Sequence, residues 1–458
     1  MGEGRGPQPR VVIVGAGLAG SLLATLLGRR GIAVQLFERR PDPRLAGAER
    51  GRSINLALSA RGLAALEQVG LREEVMKLAL PMRGRMIHDV DGGQNLQPYS
   101  ADGTRSINSI SRALLNATLL DAADATPGVT IRFGHRLTEL DLDDGLLTFD
   151  TDAGPVPERA DVVLACDGSY SAARRAVTFR QGFTFGQDYL GAGYRELTIP
   201  ATAAGEFAMD PAALHIWPRG ESMMIALPNA DRSFTCTLFW PTEQLESLRT
   251  DGEVLGYFRR HYPDAVELMP TLAEDYRLNP AGSLVTVRCR PWVHRGSPRG
   301  EGDGGEALLA LVGDAAHAIV PFFGQGANCG MEDCIEIDAQ LAACGGDWAT
   351  ALERYQCNRK PNTDAIAELS LDNFVEMRDR VNSPVYRAKM ASQHWLERRL
   401  PGRYVSRYEL VSFSTTPYAD IAGRMRRQNR ATAGAAGAVT LAALAAARAW
   451  QHRRDEAQ

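Results

Sequence analysis

The sequence predicts an α/β fold: a doubly wound parallel-sheet domain, an antiparallel β-sheet inserted into it, and a helical C-terminal region. Three observations predict this. A β-branched run, Arg10 to Val14, enters the turn Gly15-Ala16-Gly17-Leu18-Ala19-Gly20 and then a helical stretch. Alternating apolar and polar segments fill the middle of the chain from Phe183 to Phe239. Beyond Gly326 the composition is mainly helical.

The totals set limits. At 458 residues the chain can bury a large core and hold two or three domains. A net charge of -4 gives no global basic field, so nucleic acid is not an expected partner. The seven cysteines, Cys166, Cys236, Cys289, Cys329, Cys334, Cys344 and Cys357, are scattered without paired metal-site spacing. They read as reduced thiols of a cytoplasmic protein that holds no metal.

Taken in order, Ser21 to Arg30 is a helix closed by Gly31, and Ile32 to Glu38 is the next strand. The unit is therefore Rossmann-like. Pro41 to Arg50 reads as a loop, and Leu56 to Val69 as a helix entered from Ser53-Ile54-Asn55. Arg85 to Tyr99 alternates around Asp91-Gly92-Gly93, a hairpin signal. Ser109 to Ala125 reads as a helix that Ser109 or Ser111 can cap. Val129 to Ala165 is strand-like, with turns at Asp143-Asp144-Gly145 and Ala153-Gly154. Tyr194–Ile199, Leu214–Trp217, Met223–Leu227 and Phe234–Phe239 form the inserted sheet. Arg295 to Glu306 is a surface loop before a last buried strand, Ala307 to Val312. The expected domains are 8–180 with a hairpin insertion, 181–290 for substrate, 291–345 closing the first, a helical cap at 346–430, and a tail at 431–458.

The tail, Ala431 to Trp450, is about as long as a bilayer-spanning helix. Arginines flank it at 424, 426, 427, 430, 453 and 454, Arg448 interrupts it, and large apolar side chains are few. A packed or frayed helix is expected, with weak docking on a membrane surface or a partner, or a spanning helix, as the alternatives.

Three separated motifs carry the chemistry. Gly15, Gly17 and Gly20 permit a tight turn and the approach of backbone to a pyrophosphate, beside a positive helix N-terminus. Glu38, ending the second strand, suits ribose hydroxyls and argues against a 2′-phosphate, so this turn alone reads as FAD or NAD. Asp167-Gly168 follows a second apolar strand, and Asp314 a third, where it can reach a ribityl hydroxyl. Pro321, Gly324, Gln325 and Gly326 then deliver the chain to a helix beginning near Asn328. A helix N-terminus there would stabilise charge on a reduced flavin. Together the three read as one FAD site.

This pattern resembles the single-component FAD-dependent aromatic hydroxylases. Within them, five stretches are similar to the kynurenine 3-monooxygenase family: Arg52-Ser53-Ile54-Asn55-Leu56-Ala57-Leu58-Ser59, Tyr194-Arg195-Glu196-Leu197-Thr198-Ile199-Pro200, His215-Ile216-Trp217-Pro218-Arg219-Gly220, Phe234-Thr235-Cys236-Thr237-Leu238-Phe239 and Pro321-Phe322-Phe323-Gly324-Gln325-Gly326. The resemblance implies an enzyme that oxidises NADPH, reduces bound FAD and consumes O2. A flavin C4a-hydroperoxide would then convert L-kynurenine to 3-hydroxy-L-kynurenine. An aniline ring is electron-rich, so no protein base is demanded and no catalytic residue is expected. The site must hold the amino-acid end and exclude water.

For that holding, the resemblance implies Arg85, Tyr99, Asn373 and Tyr408, with Arg85 taking the carboxylate through paired hydrogen bonds. The apolar lining is expected from Leu214, Ile216, Met224, Phe239, Pro321 and Phe322. Leu18, Ala19, Arg39, Leu56, Ala57 and Arg112 join the cofactor set, while His317 is expected to be structural. No second glycine turn follows a strand, so NADPH is expected to visit without a Rossmann domain of its own. Two rivals share the fold: a flavin monooxygenase for another tryptophan-derived aryl amine, and a flavin-binding protein that docks redox partners through its tail.

Overall fold

The computed structural model describes residues 8–45, 55–100, 102–298, 306–380 and 383–455. Residues 46–50 and 299–305 of the two expected loops, Arg52 to Ile54 of the first family stretch, and the final three residues of the tail lie outside these.

The chain opens with β1 (Val11–Val14), α1 (Leu18–Arg29) and β2 (Val34–Phe37), the expected βαβ unit. Next come β3 (Asn55–Leu58), α2 (Ala60–Gln68), α3 (Arg72–Leu78) and β4 (Leu80–Met82). The hairpin of β5 (Gly84–His88) and β6 (Gln94–Pro98) precedes β7 (Ile107–Ser111), α4 (Arg112–Asp124) and β8 (Val129–Arg132). An antiparallel meander, β9 (Arg136–Asp141), β10 (Leu146–Thr151) and β11 (Gly154–Arg159), leads to β12 (Val162–Ala165) and α5 (Ala172–Val177). Two expected boundaries change. Leu56–Leu58 is a strand, because Asn55–Leu58 pairs antiparallel with Asn108–Ser111. Ser109 lies inside β7, and the cap of α4 is Ser111, whose hydroxyl accepts from the Leu114 amide. Short apolar runs do not distinguish strand from helix until a partner strand is known.

The inserted sheet follows: β13 (Thr184–Ile199), β14 (Ala213–Arg219), β15 (Ser222–Pro228) and β16 (Phe234–Pro241). Four short helices, α6 (Thr242–Ser247), α7 (Asp251–His261), α8 (Pro263–Val266) and α9 (Leu272–Leu278), cover one of its faces. The chain returns through β17 (Gly282–Arg290), β18 (Val293–Arg295), β19 (Leu308–Leu311) and α10 (Asp314–His317). A 3-10 turn, Pro321–Phe323, precedes α11 (Gly326–Ala343) and α12 (Trp348–Val375). A π-helical turn, Glu376–Arg380, is followed by α13 (Pro384–Arg399), α14 (Arg407–Ser412) and α15 (Tyr418–Asp455).

Two sheets position the site. The first has the order β18-β19-β12-β1-β2-β8 and is parallel except for β18. Its central strands β1, β12 and β19 are apolar throughout because they are buried between packed elements, among them α1 and the meander, whose Phe149 stacks on Phe37 of β2. Val14, Ala165 and Leu311 are in register across β1, β12 and β19. The glycine turn, Asp167-Gly168 and Gly313-Asp314 therefore leave three neighbouring strands at the same edge, where ligands of open α/β sheets bind. The second sheet has the order β17-β13-β16-β15-β14-β5-β6. The early hairpin joins it through a parallel pairing of β5 with β14, Arg85 opposite Leu214. Among the described residues, no helix is long and apolar enough to cross a membrane.

Candidate active site

A cavity of ≈ 390 Å³ runs between the two sheets. One end is lined by Gly17, Leu18, Ala19, Arg112, Gly168 and Asp314. The other is lined by Arg85, Tyr99, Phe239, Pro321, Phe322 and Tyr408. Leu56, Ala57, Gly324 and Gly326 lie along the wall between them.

The first end fits a dinucleotide cofactor. A Cβ on Gly20 would lie 1.9 Å from the Gly15 carbonyl oxygen, and one on Gly15 would lie 2.5 Å from that of Cys166. Gly15 also has φ +99, a left-handed conformation natural only to glycine. Gly17 is different, since a Cβ there meets no protein atom within 4 Å. Its bare backbone faces open space on the cavity wall, which is the cradle a pyrophosphate requires. Glu38 accepts from the amide of Ala16 at 3.0 Å and that of Arg40 at 3.1 Å, which fixes the acid beside the turn. A carboxylate has further lone pairs for a ribose. Asp314 is exposed at the start of α10.

Several residues expected at the cofactor hold the walls instead. Asp167 Oδ2 accepts from the amides of Ala172 and Ala173, tying down the start of α5. Burial raises its pKa despite these bonds. Cys166, Gly168 and Ser169 reach the cavity, and Asp167 does not. Asn328 is buried, donating to the carbonyls of Ala57 and Gly324 and accepting from the Ser59 amide. Gln325 is likewise buried, accepting from the Tyr418 hydroxyl at 2.9 Å. These two side chains pin β3 and α15 to the turn before α11. Arg39 is exposed beyond β2 and does not line the cavity.

The substrate end is built around a cation. Arg85 is buried at 7% exposure, and its Nε has no hydrogen-bond partner. Among the described residues no carboxylate pairs with it. Its guanidinium lies 4.5 Å from the centre of the Tyr408 ring, and Tyr408 stacks on Tyr99 at 4.9 Å. The Tyr99 hydroxyl is buried beside Arg85 and Tyr408 with no hydrogen bond of good geometry among the described residues, and burial raises its pKa well above the usual range. A charged donor and a hydroxyl left open at one end of a cavity are a site for a carboxylate.

The apolar lining differs from expectation at one strand. Met223, Ile225 and Leu227 face the cavity, while Met224 lies on the opposite face with Trp217 and Phe258. Strand alternation sends neighbours to opposite sides. Ile216 is buried in the same apolar cluster as Phe239 and Phe322, behind the wall. Asn373 is 1% exposed and donates to the Phe322 carbonyl at 2.7 Å. It holds the lining in place rather than forming it. The side chain that reaches the cavity from that helix is Met377, one turn later.

Two acids went unread in the sequence. Asp333 is fully buried, accepting from the Gly313 amide at 3.0 Å, from His317, and from Arg359 at 2.7 Å. Burial would raise its pKa, but the interactions with His317 and Arg359 outweigh it and hold the carboxyl below its ordinary range. His317 is thus structural, as expected, and Asp333 anchors the Gly313-Asp314 turn. Glu376 joins Tyr386 and Arg407 in the cap. Only its helical spacing from Asn373 offered a signal.

Comparison with known proteins agrees with this geometry. A family model described as an FAD binding domain matches residues 8–255 and 305–370. A kynurenine 3-monooxygenase of Myxococcus xanthus is 49% identical over 423 residues, covering 91% of this chain and 88% of that protein. One from Salinispora tropica is 45% identical, with 98% of each chain covered. One from Sus scrofa is 40% identical, covering 92% of this chain and 87% of its own. Among solved structures, the tetrameric form of 2-methyl-3-hydroxypyridine-5-carboxylic acid oxygenase superposes with a TM-score of 0.65 at 22% identity, covering 83% of this chain and 95% of that one. At that identity it speaks for the fold. By the extent and level of the first three matches, this chain belongs to the kynurenine 3-monooxygenase family of FAD-dependent hydroxylases.

Proposed function

We infer that this chain is an FAD-dependent monooxygenase that converts L-kynurenine, NADPH, O2 and a proton to 3-hydroxy-L-kynurenine, NADP+ and water. The observation that carries the reading is Arg85: a buried guanidinium without a carboxylate partner, facing a cavity whose other end is a dinucleotide cradle.

Each group has a task. Gly17, Leu18, Ala19, Arg112 and Asp314 would hold FAD, with the Glu38 carboxylate available to its ribose. FAD, when bound, accepts a hydride from NADPH and activates dioxygen. Arg85 binds the substrate carboxylate through paired hydrogen bonds, and Tyr99 adds its open hydroxyl. Tyr408 stacks against this pair and fixes its orientation. Phe239, Pro321 and Phe322 take the aryl ring and exclude water from the reacting carbon. No side chain is required as a base, because the amino group already activates the ortho position. His317 is committed to Asp333.

The test is NADPH oxidation by the purified yellow protein with and without L-kynurenine, with product mass recorded. Faster oxidation and a product one oxygen heavier are expected. Acceleration without an oxygenated product would assign the site to a related aryl amine. Peripheral membrane contact by the stretch 431–450 of α15, which arginines flank, is a separate proposal, tested by sedimentation with anionic vesicles before and after truncation at Ala431.

A further inference from the structure

We propose that Tyr386 is a positioning residue that clasps the helical cap over the amino-acid end of the cavity. The proposal rests on the functional reading above and extends it to a residue that does not line the cavity.

Three separate cap elements meet at one carboxylate. The Tyr386 hydroxyl, from α13, donates to Glu376 Oε1 at 2.9 Å. Arg407, at the start of α14, donates to Glu376 Oε2 at 2.8 Å. Glu376 itself opens the π-helical turn that ends α12. Such turns alter the helix register and often mark functional positions. Two of the clasped elements carry a cavity residue next in sequence: Met377 follows Glu376, and Tyr408 follows Arg407.

On α13, Val385 is 79% exposed and Trp395 58% exposed, while Met390 packs partly buried and Glu397 accepts from the Ser406 amide. Tyr386 points inward, buried at 6% in one apolar cluster with Ile87, Phe239, Phe322 and Met377. Its ring alone could be replaced by that of phenylalanine. The hydroxyl bonded to a carboxylate is what phenylalanine lacks. Burial pushes the phenol up to about 12, so it stays a donor at any working pH.

Without the clasp, α13 loses its tie to α12 and water gains entry above Arg85 and Tyr408. Substrate is then held less firmly. More NADPH is oxidised without hydroxylation, with O2 taking two electrons and two protons to become hydrogen peroxide.

The experiment uses full-length holoenzyme: wild type, Tyr386→Phe, Arg407→Ala, Arg407→Lys, and Trp395→Ala as a control on the exposed face of α13. FAD content, KM and kcat for L-kynurenine, and product formed per NADPH are measured. Tyr386→Phe is expected to retain FAD, raise KM about tenfold with a smaller change in kcat, and lower product per NADPH with peroxide making up the difference. Arg407→Ala should do the same, with partial recovery in Arg407→Lys, and Trp395→Ala should match wild type. Wild-type KM and coupling in Tyr386→Phe would overturn the proposal. So would an equal loss in Trp395→Ala, because the effect would then come from general loosening of α13. A wild-type enzyme that L-kynurenine does not stimulate would sink the substrate reading and the proposal with it, whereas a responsive wild type with an unaffected Tyr386→Phe sinks the proposal alone.

Discussion

The Arg85 guanidinium, on a strand near the start of the chain, lies 4.5 Å from the centre of the Tyr408 ring, on a helix near its end. A cation over a tyrosine face gains about 0.5–2 kcal/mol, well short of what burying an unpaired charge costs. The ring alone therefore does not offset the burial of Arg85, which leaves it suited to an anionic ligand.

Removing the cation should separate binding from cofactor retention. Arg85→Ala is expected to lower kcat/KM for L-kynurenine by roughly 100-fold, the worth of paired charge-assisted hydrogen bonds. Arg85→Lys should recover little, because an ammonium cannot form the planar fork. FAD content should stay at the wild-type level in both. Loss of FAD from Arg85→Ala, measured by absorbance after gel filtration, would contradict the assignment.

The glycines of the first turn should fail in two distinct ways. In Gly20→Ala the new methyl meets the Gly15 carbonyl at 1.9 Å, so the turn must deform and the fold should lose stability. In Gly17→Ala the methyl meets no protein atom, so the chain should fold normally and bind FAD weakly. Thermal unfolding of FAD-stripped protein, paired with FAD titration, distinguishes them. Equal melting of the stripped Gly20→Ala and wild-type proteins would show that the close approach does not matter.

Asp333, on α11, ties the Gly313-Asp314 turn to Arg359 of α12. Asp333→Ala removes one of the two carboxylates that pair with buried Arg359, Glu332 remaining at 3.1 Å, and releases the Gly313 amide. Leaving a buried donor unsatisfied in this way costs about 1–3 kcal/mol. A lower unfolding temperature and weaker FAD binding are expected together, because Gly313 precedes Asp314. A variant with wild-type FAD affinity would show that the turn holds itself.

Acid should weaken the fold at a site far from the chemistry. On the helix-covered face of the second sheet, His215 Nε2 donates to the Asp210 carbonyl, leaving Nδ1 to accept from His88 Nε2. The other His88 nitrogen bonds Asp264 at 2.7 Å, which Trp217 also reaches. Burial lowers the His215 pKa to about 4 from its ordinary 6.5. Below pH 6.5 the unfolded chain takes a proton that the folded chain refuses until about pH 4. Stability is thus complete above pH 6.5 and falls through that window, by at most roughly 3 kcal/mol. The Asp264 pKa is lowered as well, since burial, which raises it, is outweighed by the bonds from His88 and Trp217. Its contribution is present at neutral pH and is lost as acid protonates the carboxylate. Denaturant melts from pH 7 to pH 4 should show the decline, and His215→Gln should flatten it.

The sequence by itself determined what local chemistry can encode. The strand, turn and helix from Arg10 to Arg30 were legible because glycine spacing and β-branching act within a few residues. The acids at 38, 167 and 314 could be found because each ends an apolar strand. Arg85 and Tyr408 were recognised only through resemblance, since neither carries a local signal. Tertiary structure decided which residues meet. It turned Met224 away and Met223 inward, because one residue of register sets a strand's faces. It gave Leu56 to β3, because β7 offered hydrogen bonds that no local pattern reveals. It also gave Asp167, Gln325, Asn328 and Asn373 bracing hydrogen bonds within the chain, and brought in Asp333 and Glu376 as anchors. A buried polar group must find partners, and those partners lie wherever the folded chain places them.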